Sequence, residues 1–574
     1  MESSNPIAPV RDVQVYPLAA GTRVWRGRSW SRLRFEIEYA LERGTTSNSD
    51  LIEGDRPALI DVPGETFTEL FLASLRERYD LRQLRYVVVG HINPNRATTL
   101  AELLRLAPHL TVVCSNPGEK SLRSLLPGLG VAEFTAWVVR GEAELDLGQG
   151  HRLRLAALPI PRYPDGLYAF DEKTAIAYTG KFYCAHLCGD QVLDEGWGSL
   201  VEHHRYYFDC VLASQGRAVT TALERLAAWP AQLYGPVHGP VLRYGLGTLQ
   251  EEYRRWYATQ QQQNLRVVVL YASAYGKTAT MADAIARGLI KAEIAVEMLD
   301  CEQSSPAEIQ AAVERAAGFI LGSPTLGGHV PTQVETALGI VLAHGSRGSL
   351  AGVFGSYGWS GEAVDILATK LKDGGFVLGF PPLRHKFTPT AEALQICEEA
   401  GTAFARELKR VKKVRTTFVP ASSVEQAVGR VVGSLCVVTA RRGDLTNAML
   451  ASWVSQGTFN PPGLTVSVAK DRAIESWMHA GDSFVLNILP QGSTLARQFM
   501  KKYAPGQDRL AGIATAETEN GNPLLAESLA YVECRVAQRM ECGDHWLVYA
   551  IAERGKVLQE GLTAIHHRKS GGHY

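Results

Sequence analysis

No charge of either sign prevails in this chain: lysine plus arginine and aspartate plus glutamate number 59 each among 574 residues. A balanced chain offers no global attraction for nucleic acid or for an anionic membrane, so neither partner is expected. Long hydrophobic runs are missing too. No stretch of about 18 apolar residues occurs, which argues against a membrane-spanning helix. Met1–Pro6 shows no basic segment leading into an apolar one, so no secretory leader is expected. The nine cysteines are scattered, and Cys184 and Cys188 enclose Ala185, His186 and Leu187, missing the CxxC spacing of a zinc or redox pair. These absences read as a cytoplasmic protein of a reducing compartment. Two nucleotide signatures are absent as well. Gly-x-Gly-x-x-Gly is found nowhere, which leaves a Rossmann nicotinamide site unsupported. Gly276-Lys277-Thr278 ends like an ATP-binding P-loop, but Tyr271 stands where that motif needs its first glycine.

What is present is ordinary globular material, 46% hydrophobic. At about 150 residues per domain, the length implies three or four domains. The most informative stretch lies in the middle. Arg266–Tyr271 (RVVVLY) is a short β-branched run, the pattern of a buried strand. It feeds into Ser273, Ala274, Tyr275, Gly276, Lys277 and Thr278, after which Met281, Ile285 and Leu289 recur at helical spacing. A strand, a hydroxyl-bearing glycine loop and a helix start gather backbone N–H groups around a phosphate. Two further apolar runs end in loops. Gly318–Leu321 leads to Ser323, Pro324, Thr325, Leu326, Gly327 and Gly328; Ala351–Phe354 leads to Ser356, Tyr357, Gly358, Trp359, Ser360 and Gly361. In an open α/β sheet ligands bind beyond the carboxyl ends of strands. Three such loops suit a flat ring stacked on aromatics, with its phosphate in the first loop.

The N-terminal part alternates short strands and helices. Ser49–Ile52 and Ala58–Asp61 read as paired strands, Thr66–Arg78 as an amphipathic helix and Tyr86–Val89 as a buried strand. Polar loops follow such runs at His91–Arg96, at Arg162–Asp165 after Pro159-Ile160-Pro161, at Lys181 and at His238. Glu407–Ser423 is a basic helix end passing into a Thr/Pro/Ser connector. Beyond it the chain turns β-rich, with strands expected at Val431–Thr439, Asn447–Val454, Leu464–Val468, Phe484–Leu489 and Trp546–Ala552, and one helix near Thr494–Lys502. Glu475, Trp477 and Asp482 read as a helix and its exit turn.

The three central loops together resemble flavodoxin, which implies FMN in that part. The order of strand-end loops before it resembles the metallo-β-lactamase-like domain of flavodiiron proteins. The C-terminal part resembles the flavin reductase domain through Ala451-Ser452-Trp453, Asn460-Pro461-Pro462, Ser467-Val468-Ala469-Lys470, Gly543-Asp544-His545 and the tail Arg568–Tyr574. By this resemblance Ala451, Ser452, Trp453, Ser467 and Lys470 belong to a second flavin site, holding FMN or FAD and taking hydride from NAD(P)H. The implied fold is α/β multi-domain: a metallo-β-lactamase-like αββα domain at 1–260, a flavodoxin-like doubly wound parallel sheet at 264–410 and a flavin reductase-like split β-barrel at 424–574. Flavodiiron proteins with a fused reductase are typical of oxygenic photosynthetic microbes. The implied activity is oxidation of NAD(P)H with reduction of O2 to water.

One departure qualifies the resemblance. The family's first metal loop is His-x-Glu-x-Asp-His, followed by a further His, a bridging Asp and a last His. Here His91 and His238 are kept, while Asn93, Asn95, Arg96, Arg162 and Lys181 occupy the other positions. Carboxylates have given way to amides and fixed cations, so a ferrous ion lacks its anionic ligands and iron is in doubt. Asp165 or a bound anion is expected to neutralise the cations. Three readings follow. The chain delivers electrons to a homologous flavodiiron subunit with intact iron ligands, in the family's head-to-tail dimer; it is a regulatory or scaffolding subunit; or it is a flavin-only NAD(P)H oxidase yielding peroxide.

Overall fold

The computed structural model describes residues 11–30, 44–160, 162–415 and 422–567, and divides into two compact units, Met1–Thr259 and Gln260–Tyr574. The tail Arg568–Tyr574 lies outside the described residues, as does part of the expected connector.

In the first unit a seven-stranded sheet runs in chain order from Arg11–Ala19 to Thr135–Val139. Its early strands pair antiparallel and its last four parallel. A five-stranded sheet contains Glu142–Gly148, His151–Ala157, Leu167–Asp171, Ile176–Gly180 and Leu233–Pro236. Alternation along the strands explains the layering. Val112 and Cys114 face a core shared with Phe71, Leu75, Leu100 and Leu103 of the outer helices, whereas Val113 faces Leu145, Leu155 and Ile176 of the second sheet. On the far side Phe208 of one helix packs on Tyr253 of another, and Tyr253 on Tyr183, completing a helix–sheet–sheet–helix sandwich.

The second unit opens with a sheet in the order Ala295–Asp300, Arg266–Tyr271, Gly318–Pro324, Leu350–Tyr357, Val377–Leu378. Every pairing is parallel, including Leu383–Lys386 against Leu350–Tyr357. Val267 and Val269 face one helical layer and Val268 and Leu270 the other. Burial on both faces explains the uninterrupted β-branched run of the first strand. Two strands extend further than expected, so Ser323, Pro324, Ser356 and Tyr357 belong to strand ends. Their ladders hold because Ser323 pairs with Gly355 and Pro324 with Ser356.

Next comes a seven-stranded antiparallel sheet, ordered Leu445–Ala451, Cys436–Arg442, Ser483–Ile488, Ala530–Cys542, His545–Val557, Pro462–Ala469, Val454–Phe459. Its first and last strands are consecutive in the chain, joined by Ser452 and Trp453. So short a link between opposite edges obliges the sheet to curl into a split barrel. The expected single strand Asn447–Val454 is therefore broken at Ser452, because the chain there crosses from one edge to the other. The expected helix Thr494–Lys502 is shorter, Leu495–Phe499. Glu475 and Trp477 sit on a buried 3-10 turn, Ala473–Trp477, packed against the parallel-sheet half. There Lys291 of helix Lys277–Lys291 contacts Glu398 of helix Ala391–Arg415 and lies 3.0 Å from Glu475, with Arg287–Glu398 and Arg539–Glu475 at 2.9 Å. Among the described residues no helix is long and apolar enough to cross a membrane.

Candidate functional site

Three loops converge at the carboxyl edge of the parallel sheet. Gly276 caps helix Lys277–Lys291 in the left-handed region, φ +73°, and an added Cβ there would meet nothing within 4 Å. The turn is thus open to a ligand, and the first N–H groups of the helix have no partner within it. The Ser273 hydroxyl accepts from the Ala279 N–H at 3.1 Å, holding the loop around the helix start. The buried hydroxyls of Thr278 and Ser356 lie 2.9 Å apart and tie the first loop to the third. The Thr325 N–H donates to the Ser356 carbonyl at 3.1 Å, tying in the second. Gly327 and Gly328, at φ +57° and +82°, close a turn between Leu326 and His329 with open space at both Cβ positions. The Ser360 hydroxyl, with the helix start itself, holds Glu362 below the usual carboxylate range.

These residues fit a flavin mononucleotide. The Thr325 hydroxyl is buried within the loop cluster and finds no hydrogen-bond partner among the described residues. Tyr275 is 84% and Trp359 92% exposed, values that leave a flat ring room to stack on either. An orphaned hydroxyl, open glycines and uncovered aromatics at one sheet edge are what a phosphate-bearing aromatic ligand would satisfy.

In the barrel, Trp453 stands 4.9 Å from the His545 ring although the two are far apart in sequence. The Ser467 N–H donates to the Trp453 carbonyl and the Lys470 N–H to that of Asp544. Lys470 also contacts Glu541 and lies 5.4 Å over the Trp546 ring. His545 Nδ1 is 2.7 Å from Asp544, a contact that outweighs burial and keeps the carboxyl low. Fold topology brings Ala451–Trp453, Ser467 and Lys470 to one corner, and adds Asp544, His545 and Trp546 to it.

The pocket expected to hold metal in the first unit is organised differently. Asn93 does not point out as a ligand; its side chain accepts the Arg96 N–H at 3.0 Å and caps helix Pro94–Leu106. Asn95 sits on the first turn of that helix. The Arg96 guanidinium is buried, donating to the Val62 carbonyl at 3.1 Å and lying 3.6 Å from Asp61. Asp165 binds His91, at 2.7 Å, and the Ile92 N–H. The acid beside Arg96 is Asp61, which composition did not mark: the expected strand Ala58–Asp61 stops at Ile60, and Asp61 turns at φ +59°. Burial raises its pKa, and Arg96 and the Gly90 N–H pull it partly back. Arg162 packs 5.9 Å over Tyr163 and its N–H donates to Gln215.

The decisive contact involves His238. Its Nδ1 lies 2.6 Å from the Thr46 carbonyl, which only accepts, so Nδ1 carries the proton. Nε2 then offers a lone pair, and the buried Lys181 ammonium lies 3.2 Å from it. A metal needs that lone pair, and an ammonium holds it. These residues do not fit a di-iron centre, for which anionic carboxylates would have to offset the metal charge.

The chain thus joins a lactamase-like sandwich, a parallel sheet with an open phosphate loop and an antiparallel split barrel. Residues 46–239 match the ODP family beta lactamase, 269–401 flavodoxin and 428–571 the flavin reductase like domain. The chain is 58% identical to putative diflavin flavoprotein A 6 of a Nostoc species, covering 98% of this chain and 99% of that one. It is 38% identical to diflavin flavoprotein A 1 of Synechocystis, over the full length of both. A solved structure, the metal-soaked Flv1 flavodiiron core of Synechocystis, shares 52% identity with a TM-score of 0.67, covering 70% of this chain and all of that one. The chain belongs to the diflavin flavoprotein family of flavodiiron proteins.

Proposed function

We propose that this chain carries electrons from NAD(P)H through two flavins to a homologous subunit whose iron ligands are intact, where O2 is reduced to water. The division at 1–260, 264–410 and 424–574 assigns one part to each task. The observation that carries the reading is the contrast between two sites. The flavin loops keep their open glycines, exposed aromatics and orphaned Thr325 hydroxyl, whereas Lys181 occupies the His238 nitrogen that iron would require. Flavin, when bound, accepts hydride as a pair of electrons and passes electrons on singly.

The chain's own residues perform the remaining tasks. Ser273, Thr278 and the helix start at Lys277 hold a phosphate; Tyr275 and Trp359 present ring faces. In the barrel, Trp453 and His545 form a wall for the second flavin and Lys470 supplies a cation at its edge. No step of this chain passes through iron. A head-to-tail dimer with an iron-bearing homologue places the terminal site on the other subunit.

Iron and flavin content of the purified chain, together with NAD(P)H oxidation with and without an iron-bearing homologue, test this. About two flavins per chain, negligible iron and peroxide-free O2 consumption only with the partner are expected. Two irons per chain would overturn it. Peroxide from the chain alone would make it a flavin-only oxidase, and no NAD(P)H oxidation in either setting a regulatory or scaffolding subunit.

A further inference from the structure

Strand Leu383–Lys386 lies parallel to Leu350–Tyr357, with Lys386 opposite Tyr357. It therefore ends at the same sheet edge as the three flavin loops, and the residue leaving it is Phe387. Phe387 has φ +58°, a left-handed backbone that bulky L residues rarely adopt. Its N–H donates to the Tyr357 carbonyl at 2.8 Å, which pins the turn beside the third loop. Buried residues repay such strain by packing, as Tyr183 does at φ +61° with no exposed surface. Phe387 does not, since 57% of it is exposed. Its ring stands 6.4 Å from that of Trp359 at an interplanar angle of 78°, and an added Cβ on Gly358 would come within 3.6 Å of it. Trp359 and Phe387 thus make a two-sided aromatic corner, open to solvent, at the edge where the orphaned Thr325 hydroxyl lies.

Strain retained on an exposed aromatic calls for an occupant. We infer that Phe387 is a flavin-contact residue: Trp359 and Phe387 form the corner that seats the isoalloxazine ring, one side against its face and the other against its edge. This rests on the FMN reading of the three loops and adds a fourth loop to the site. It also explains why a glycine, which would take this backbone freely, is not found at position 387.

The test uses the full chain stripped of flavin and titrated with FMN, following flavin emission. Trp359→Ala identifies which binding phase belongs to this edge. Phe387→Gly removes ring and strain together, and is expected to weaken that phase about tenfold and brighten the bound flavin while leaving the melting temperature of the flavin-free chain unchanged or higher. Phe387→Leu keeps apolar bulk and strain without the ring, and is expected to lose the same affinity with no gain in melting temperature. Phe387→Tyr is expected to bind like the native chain. If Trp359→Ala weakens a phase that Phe387→Gly and Phe387→Leu leave within twofold of native, the role of Phe387 is overturned and the FMN site stands. If none of the variants changes either phase, FMN does not bind at these loops and the underlying reading fails.

Discussion

Replacing Glu475 by glutamine separates burial from charge pairing at the contact between parallel sheet and barrel. Glu475 and Glu398 are two buried carboxylates set among the cations Arg287, Lys291 and Arg539. Burial by itself would raise the Glu475 pKa; Lys291, Arg539 and Arg287 outweigh it and hold the group down to about 2. Glutamine preserves the shape and one acceptor oxygen but leaves three cations facing one carboxylate. Breaking a buried pair from one side costs about 3–5 kcal/mol. Lys291 keeps Glu398, so the lower end applies, about 3 kcal/mol. At about 2–4 °C per kcal/mol for a domain of this size, the unit melts roughly 6–12 °C lower. The sign with pH is also determined. A folded pKa below the unfolded value of about 4.3 contributes stability that is present above it and is lost as pH falls towards about 2. The gap between native and Glu475→Gln at pH 7 should therefore narrow steadily from about pH 4.5 downwards. Calorimetry of both proteins across that range is the assay, and Lys291→Met with Glu475→Gln should cost less than the two single changes summed. A melting temperature within about 1 °C of native at pH 7, or a gap that ignores pH, would refute the reasoning.

His204 is buried, donates through Nδ1 to the Cys184 carbonyl at 3.2 Å, and burial pushes its pKa down to about 4. The unfolded chain thus binds a proton first, and stability of the first unit is lost as pH falls from about 6.5 towards 4. Denaturant unfolding should show the native advantage over His204→Gln shrinking by about 2 kcal/mol between pH 7 and pH 5, and parallel pH curves would contradict this. Gly276→Ala places a Cβ at φ +73° with nothing to pack against, so strain of about 1 kcal/mol should appear undiluted as weaker FMN retention and lower stability. Asn93→Glu should lose about 1 kcal/mol with the helix cap and bind no iron, because Lys181 still holds His238. Elemental analysis showing two irons per chain after that single change would mean the ammonium yields to metal.

Whatever depended on neighbours in the chain was legible without the fold. The β-branched run Arg266–Tyr271 reads as a strand because burial on both faces leaves no polar alternation. The glycines at 276, 327 and 328 mark open turns because only glycine takes those backbones without penalty. That Asn93, Asn95, Arg96, Arg162 and Lys181 stand where the resembling family's motif has its other ligands is read from the sequence against that motif. Tertiary structure decided what those residues do to one another. Lys181 meets His238, Asp61 meets Arg96 and Asp165 meets His91 across separations that carry no periodic signal. Glu475 reads as a helix residue, and only the barrel packs it onto Lys291; the strand register alone puts Phe387 beside Trp359. Propensity and periodicity are set over a few residues, whereas desolvation and Coulomb energy depend on which distant groups the topology brings within a few ångströms.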